Sequence, residues 1–263
     1  MPKLPAILVA MPEELAPFLP AFEEAAGRLE TTKTKQLAGA TFRKIEVDGK
    51  PALLVTTGIG LVNAAAAATL AISEFGADLL ISSGSAGGVG QDVRVGDVVV
   101  SAETCYSTAD ATAFTNYALG QIPQMPPRFI ANAALLRARD SVTPAVASAQ
   151  NDGGVVSLPS VEEPVTAVSK PRELHQGLIL SSDAFIWEKN YADYVGKFPD
   201  ALATDMETAA IGQVAYKFGV PWVSVRGISD LCGPAGPDDF YTHLDGAANI
   251  AAEVVMQLVR DLP

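Results

Sequence analysis

The sequence predicts an α/β protein: a single-domain, three-layer α/β/α arrangement around a central mixed, mostly parallel twisted sheet. Three observations carry this. Apolar, β-rich runs recur along the 263 residues, helical patterns rich in Ala and Leu alternate with them, and no linker splits the chain. Strands buried on both faces read as continuous apolar runs of this kind.

The first run, LPAILVA (4–10), is short and is followed at once by Glu13 and Glu14. It reads as a buried strand, too short for a membrane span and poor as a signal peptide. TFRKIEV (41–47), Asp48-Gly49 and PALLVTT (51–57) form a hairpin signal, which makes the sheet mixed. Further strands are predicted at LLISS (79–83), DVVVSA (97–102), GLILSS (177–182) and PWVSVRGI (221–228). Helices are predicted over 63–75, 129–139, 208–218 and 246–259. Residues 141–170 mix Ser, Pro, Gly, Asn and Val without periodicity and read as a surface excursion.

Composition narrows the function classes. Thirty Asp and Glu against 18 Lys and Arg give a formal charge of −12. So acidic a surface repels phosphate backbones and anionic membranes, which argues against nucleic-acid or membrane partners. The two cysteines, Cys105 and Cys232, are too few for a disulfide scaffold and fit a reducing, cytoplasmic setting. His175 and His243 lack ligand spacing, so no dedicated metal site is expected.

Five polar clusters follow predicted strands, where ligands bind in α/β sheets. Met11-Pro12-Glu13-Glu14 has a structural account: Pro suits the first helical turn and acids complement its dipole. Thr57-Gly58-Ile59-Gly60-Leu61-Val62-Asn63 resembles a dinucleotide fingerprint, but Asn63 stands where that fingerprint needs Gly. Asp78 begins the next strand and does not end it, so a tight turn opening a substrate pocket is the better account. Ser83-Gly84-Ser85-Ala86-Gly87-Gly88-Val89-Gly90 reads either as a structural Gly-rich turn or as a concavity against an anion, sugar or base. In Thr204-Asp205-Met206-Glu207-Thr208 one acid can cap the following helix, and two around a Met suit paired sugar hydroxyls. Arg226-Gly227-Ile228-Ser229-Asp230 ends an apolar run, where burial could raise the Asp230 pKa enough for it to donate a proton. A turn-forming Ser-Asp pair is the plainer alternative.

In this order the clusters resemble the purine nucleoside phosphorylase and nucleosidase superfamily, in its 5′-methylthioadenosine/S-adenosylhomocysteine nucleosidase branch. The matching pieces are AMPEEL, TTGIG, SSGSAGGVGQDVRVGDVVVS, ADATAF with GQIP behind it, LSSDAFI, TDMETAAI and VRGISD, which span nearly the whole chain. The resemblance implies a nucleoside phosphorylase-like fold and an N-glycosidase that needs no cofactor. It implies that Asp230 protonates the adenine ring at position 7, steadied by Ser229 and Arg226, and that Glu14 directs the attacking water. Ser85 would lie near Glu14, with Ala86 and Gly87 against the substrate. Glu207 would bind the ribose hydroxyls above Met206, Phe185 would stack on the base, and Ile186 main chain would read its edge. Phe114 and Pro123 would wall the 5′-thioalkyl pocket of a neighbouring subunit in a homodimer. Asp205 stands where the branch usually has Glu.

Adenine leaves poorly as an anion, so one acid must protonate it while another helps water. Three rivals compete with hydrolysis. A phosphorylase would set arginines, not Glu14, beside its phosphate. A non-catalytic nucleoside-binding relative would be expected to lack Asp230 or Glu14. A dinucleotide-dependent reductase is disfavoured by Asn63 and Asp78. The segment 109–125, with Phe114, Tyr117, Leu119, Ile122, Pro123 and Met125, exposes much apolar surface in a monomer and points to an interface.

Overall fold

The structure is a computed structural model, and it describes residues 4–20, 34–114, 116–137 and 173–262. The excursion expected over 141–170 lies outside the described residues. The strands are β1 (Pro5–Val9), β2 (Lys35–Leu37), β3 (Ala40–Val47), β4 (Lys50–Thr56), β5 (Leu79–Gly88), β6 (Val98–Tyr106), β7 (Phe129–Ile130), β8 (Leu174–Ser181), β9 (Ala201–Asp205) and β10 (Trp222–Asp230). The α-helices are α1 (Pro12–Leu15), α2 (Leu61–Phe75), α3 (Ala133–Arg137), α4 (Tyr191–Tyr194), α5 (Thr208–Phe218) and α6 (Gly236–Asp261).

One mixed sheet organises these elements. Its open arm runs β5-β1-β4-β3-β2, with β1 parallel to both neighbours and the β3–β4 hairpin antiparallel. Asp48 and Gly49 turn that hairpin with φ of 49° and 81°, as the Asp-Gly signal predicts. On the other side, β5 pairs β10, β10 pairs β6, β6 pairs β8, β8 pairs β9, and β9 returns to β5. Five strands therefore close a ring, and Ser85, Ala86, Gly87, Met206, Glu207, Ser229 and Asp230 sit where β5, β9 and β10 end.

The helices cover the sheet with apolar faces. The Ala-rich face of α2 (Ala64, Ala67, Ala68, Ala71) is fully buried in a cluster with α5 residues Ala209, Ala210 and Ile211. Both helices end on a left-handed glycine, Gly76 or Gly219, whose N–H reaches back to the last turn. The longest helix, α6, lays Ala251, Val255 and Leu258 into a core with β5 and β10 residues Ile81 and Val225. Burying each large aliphatic side chain contributes roughly 1.5–3 kcal/mol. Gly227 permits this approach, because a Cβ there would collide with the Ala247 carbonyl.

Three boundaries differ from the sequence reading. β5 continues through the Gly-rich stretch to Gly88, where a loop was the expectation. The glycines serve lateral contact: a Cβ at Gly84 would collide with the Glu14 carboxylate. Phe129 and Ile130 form a strand instead of opening a helix, because they pair with Thr104 and Glu103 of β6. α6 begins ten residues before position 246, at a start marked by Pro237, Asp238 and Asp239.

Candidate active site

A cavity of about 450 Å³ opens at the ends of β1, β5, β9 and β10. Each strand delivers a polar group to it. The chain leaves β1 into α1, and Glu14 in that turn points back over β5. Its Oε2 accepts the Ala10 N–H at 2.8 Å. Its Oε1 accepts the Ser85 N–H at 2.8 Å and the Ser85 hydroxyl at 3.1 Å. A carboxylate so held has a fixed direction and keeps lone pairs for a ligand or water.

At the other side, Asp230 ends β10 and is 1% exposed. Its Oδ2 accepts the Ser229 hydroxyl at 3.0 Å, and its Oδ1 accepts the Cys232 N–H at 2.9 Å. Burial pushes the Asp230 carboxyl above its ordinary range, against the pull of those two hydrogen bonds. Cys232, at φ 56°, is the left-handed turn residue that aims its N–H at the acid.

Behind the wall lies a buried ionic cluster. Arg226 is 1% exposed and places Nε 2.8 Å from Asp205 Oδ2 and Nη1 3.4 Å from Glu207 Oε2. Its Nη2 donates to the Ser82 hydroxyl at 2.6 Å. The resemblance implies that Arg226 steadies Asp230. Its guanidinium instead bonds Asp205, Glu207 and Ser82, and it does not line the cavity. The physical reason is charge: two buried carboxylates at the end of β9, across β5 from β10, lie within ion-pair distance of the guanidinium.

Asp205 is spent on structure. It accepts the Ser181 hydroxyl at 2.5 Å, the Glu207 and Thr208 N–H groups at 3.3 and 3.2 Å, and the Thr208 hydroxyl. It thus caps α5 while pairing with Arg226. Glu207 is left as the available carboxylate, with Oε1 accepting the Gly60 N–H at 3.0 Å. Burial raises its pKa to about 7; Arg226 opposes the rise, and Asp205 and Glu14 add to it. The turn carrying Gly60 is fixed by Asp183, which accepts the Leu61 N–H at 2.7 Å.

The cavity brings together Glu14, Ser85, Ala86, Gly87, Phe185, Ile186, Met206, Glu207, Ser229 and Asp230. Phe114 and Pro123 do not line it; both are exposed, Phe114 at 65%. The sequence reading missed Phe240, Tyr241 and Leu244, which line the cavity from the first turns of α6. Phe240 meets Phe185 edge-on at 5.5 Å. The Pro-Asp-Asp helix start ahead of the aromatic pair was the available signal. Among the described residues, no group of His, Cys, Asp and Glu is arranged to hold a metal ion. None of their helices is long and apolar enough to cross a membrane.

A mixed α/β sheet whose strand ends gather buried acids around one cavity defines a class, and sequence comparison agrees with it. The phosphorylase superfamily profile matches residues 6–261, and the chain belongs to that superfamily, in its 5′-methylthioadenosine/S-adenosylhomocysteine nucleosidase family. One relative, the 5′-methylthioadenosine/S-adenosylhomocysteine nucleosidase of Geobacillus kaustophilus, is 37% identical over 97% of this chain and 95% of its own. The Neisseria meningitidis nucleosidase, solved in complex with methylthio-immucillin-A, superposes with a TM-score of 0.81 at 32% identity, covering 99% of this chain and 100% of that one. The Colwellia psychrerythraea nucleosidase, solved in complex with adenine, superposes with a TM-score of 0.83 at 30% identity, covering 99% and 96%.

Proposed function

We propose that the chain is an N-glycosidase that hydrolyses the adenine–ribose bond of 5′-thio-substituted adenosines, methylthioadenosine and S-adenosylhomocysteine among them. The observation that carries this is the pair of buried acids on one cavity. Asp230 is held by two donors and raised by burial, and Glu14 is fixed by three donors beside Ser85.

In this reading Asp230 gives its proton to the purine ring, so that adenine departs neutral as the C1′–N bond breaks. Glu14 orients a water and takes its proton as oxygen bonds to C1′. Glu207 accepts the ribose hydroxyls through the lone pairs that Gly60 and Arg226 leave free. Met206 lies under the sugar, Phe185 against the base, and Ile186 main chain along the base edge. Arg226 acts through Glu207 and does not touch the acid.

Phosphate fits the same cavity poorly. Its lining includes the carboxylates of Glu13 and Glu14, which have no counter-charge in it, and, among the described residues, no Lys or Arg. An anion brought there meets like charge. The reading favours water over phosphate as nucleophile on that ground.

We further propose a cytoplasmic homodimer in which segment 109–125 completes the partner's cavity. Phe114 and Pro123 are exposed and do not line their own chain's cavity, which supports a role across an interface. Incubating the protein separately with methylthioadenosine, adenosylhomocysteine, deoxyadenosine and aminofutalosine, and following free adenine, tests the substrate class. No adenine release from the two 5′-thio nucleosides would overturn it.

A further inference from the structure

Two cavities meet at Cys232. Beside the one described above lies a second, of about 430 Å³. Its lining includes Gln91, Glu188 and Leu231, all exposed, so it is open to water. Three stretches of chain pass from the first lining to the second: Gly87 to Gly88, Ile186 to Glu188, and Asp230 to Gly233. Cys232 alone belongs to both linings, and it is buried.

Its sulfur packs beside the acid. A Cβ at Gly87 would come within 2.5 Å of Cys232 Sγ, 3.3 Å of Asp230 Oδ1 and 3.5 Å of the Thr204 methyl. The glycine therefore leaves the room that the sulfur takes. Gly236, the first residue of α6, closes another side, since a Cβ there would stand 3.7 Å from the same Asp230 oxygen.

The thiol acts on Asp230 in two opposed ways. As an apolar body it excludes water, and burial is the largest influence on the carboxyl and raises it. As a donor it gives the carboxylate a weak hydrogen bond, which lowers the pKa and ranks below burial. Burial first, and the acid after it, hold the thiol itself far above its ordinary range, so it stays protonated. Among the charges on neighbouring elements, Asp239 of α6 adds to the rise at Asp230. Glu13 and Glu14 of α1 and Glu207 line the same cavity, and Glu188 lines the second.

We propose that the Cys232 side chain is a positioning residue for the proton donor: its sulfur closes the partition between the two cavities and keeps water of the second off the Asp230 carboxyl. This rests on the nucleosidase reading for the donor role, and it goes beyond the N–H that the same residue gives to Asp230.

The test follows the carboxyl itself. Aspartate labelled with ¹³C at Cγ reports its titration by NMR in the wild type, Cys232→Ala and Cys232→Gly, with Asp230→Asn assigning the signal. The falling limb of kcat against pH is measured alongside. Both variants remove the sulfur, and Gly suits the left-handed backbone at this position, so that variant is expected to fold. Both should titrate about one unit lower than the wild type, and the limb should move down with the titration while KM stays within about twofold. A thiol that mattered as a donor would give the opposite sign, because its loss would raise the pKa. An upward shift therefore overturns the proposal, as does a titration left in place, whatever happens to kcat. A wild-type protein that releases no adenine sinks the nucleosidase reading and the donor role, while the carboxyl titration still decides whether the sulfur keeps water out.

Discussion

Arg226 Nε lies 2.8 Å from Asp205 Oδ2, while Nη1 of the same guanidinium reaches Glu207 Oε2 at 3.4 Å. One buried cation therefore serves two buried carboxylates, Asp205, which also holds the start of α5, and Glu207. Removing the cation leaves both acids unpaired in a dry environment. Arg226→Met is expected to lower stability by about 3–5 kcal/mol, the usual cost of breaking a buried pair from one side. Urea unfolding of the variant checks this; a midpoint close to wild type would show that the cluster is not holding β9 and β10 together.

The same cluster makes stability depend on pH. The folded Glu207 pKa is raised from its ordinary 4.5 to about 7. Between those values the folded state keeps a proton that the unfolded chain releases, so stability is full below about 4.5 and declines as pH rises toward 7. Glu207→Gln removes that contribution. Its unfolding midpoint should fall less than the wild-type midpoint between pH 5 and 8, in paired urea titrations. Parallel curves for the two proteins would contradict the assignment.

Asp230→Asn should lower kcat on the order of 10²- to 10⁴-fold, the usual worth of a general acid. Glu14→Gln should do comparable damage through the water, with binding less affected than turnover in both. The pH profile carries the sign. A proton donor with a raised pKa works below that pKa, so activity should decline as pH rises through it, and Asp230→Asn should lose that limb. Near-normal kcat in either variant would remove that residue from the mechanism.

Subunit mixing tests the shared site. Asp230→Asn and a charged Phe114 variant such as Phe114→Glu should each be nearly inactive alone. Exchanged dimers would hold one cavity with both defects and one with neither, so activity should partly return on mixing. A fully active monomer by light scattering would refute the shared cavity.

Much of the architecture was legible because buried strands and Ala-rich helices carry strong local patterns. The Asp48-Gly49 hairpin, β1 and the two glycine-ended helices follow from such patterns directly. The Gly84–Gly88 stretch was not readable as strand, because its glycines answer contacts with Glu14 and Cys232 that are distant in sequence. Phe129 and Ile130 were misread for a similar reason: pairing with β6 overrides a helical spacing. The acids now gathered on the cavity were visible as clusters at strand ends. The partners of Arg226 were not, since choosing Asp205 and Glu207 over Asp230 depends on how β9 and β10 approach each other. The aromatic wall from α6 was hidden by the late placement of that helix's start.

The central claim is that water, and not phosphate, receives the sugar. The direct measurement is adenine release from methylthioadenosine in phosphate-free buffer and in added phosphate, with the sugar product identified by mass spectrometry. The account predicts undiminished release without phosphate and free methylthioribose in both conditions. A phosphate requirement, with methylthioribose 1-phosphate as the main product, would contradict it.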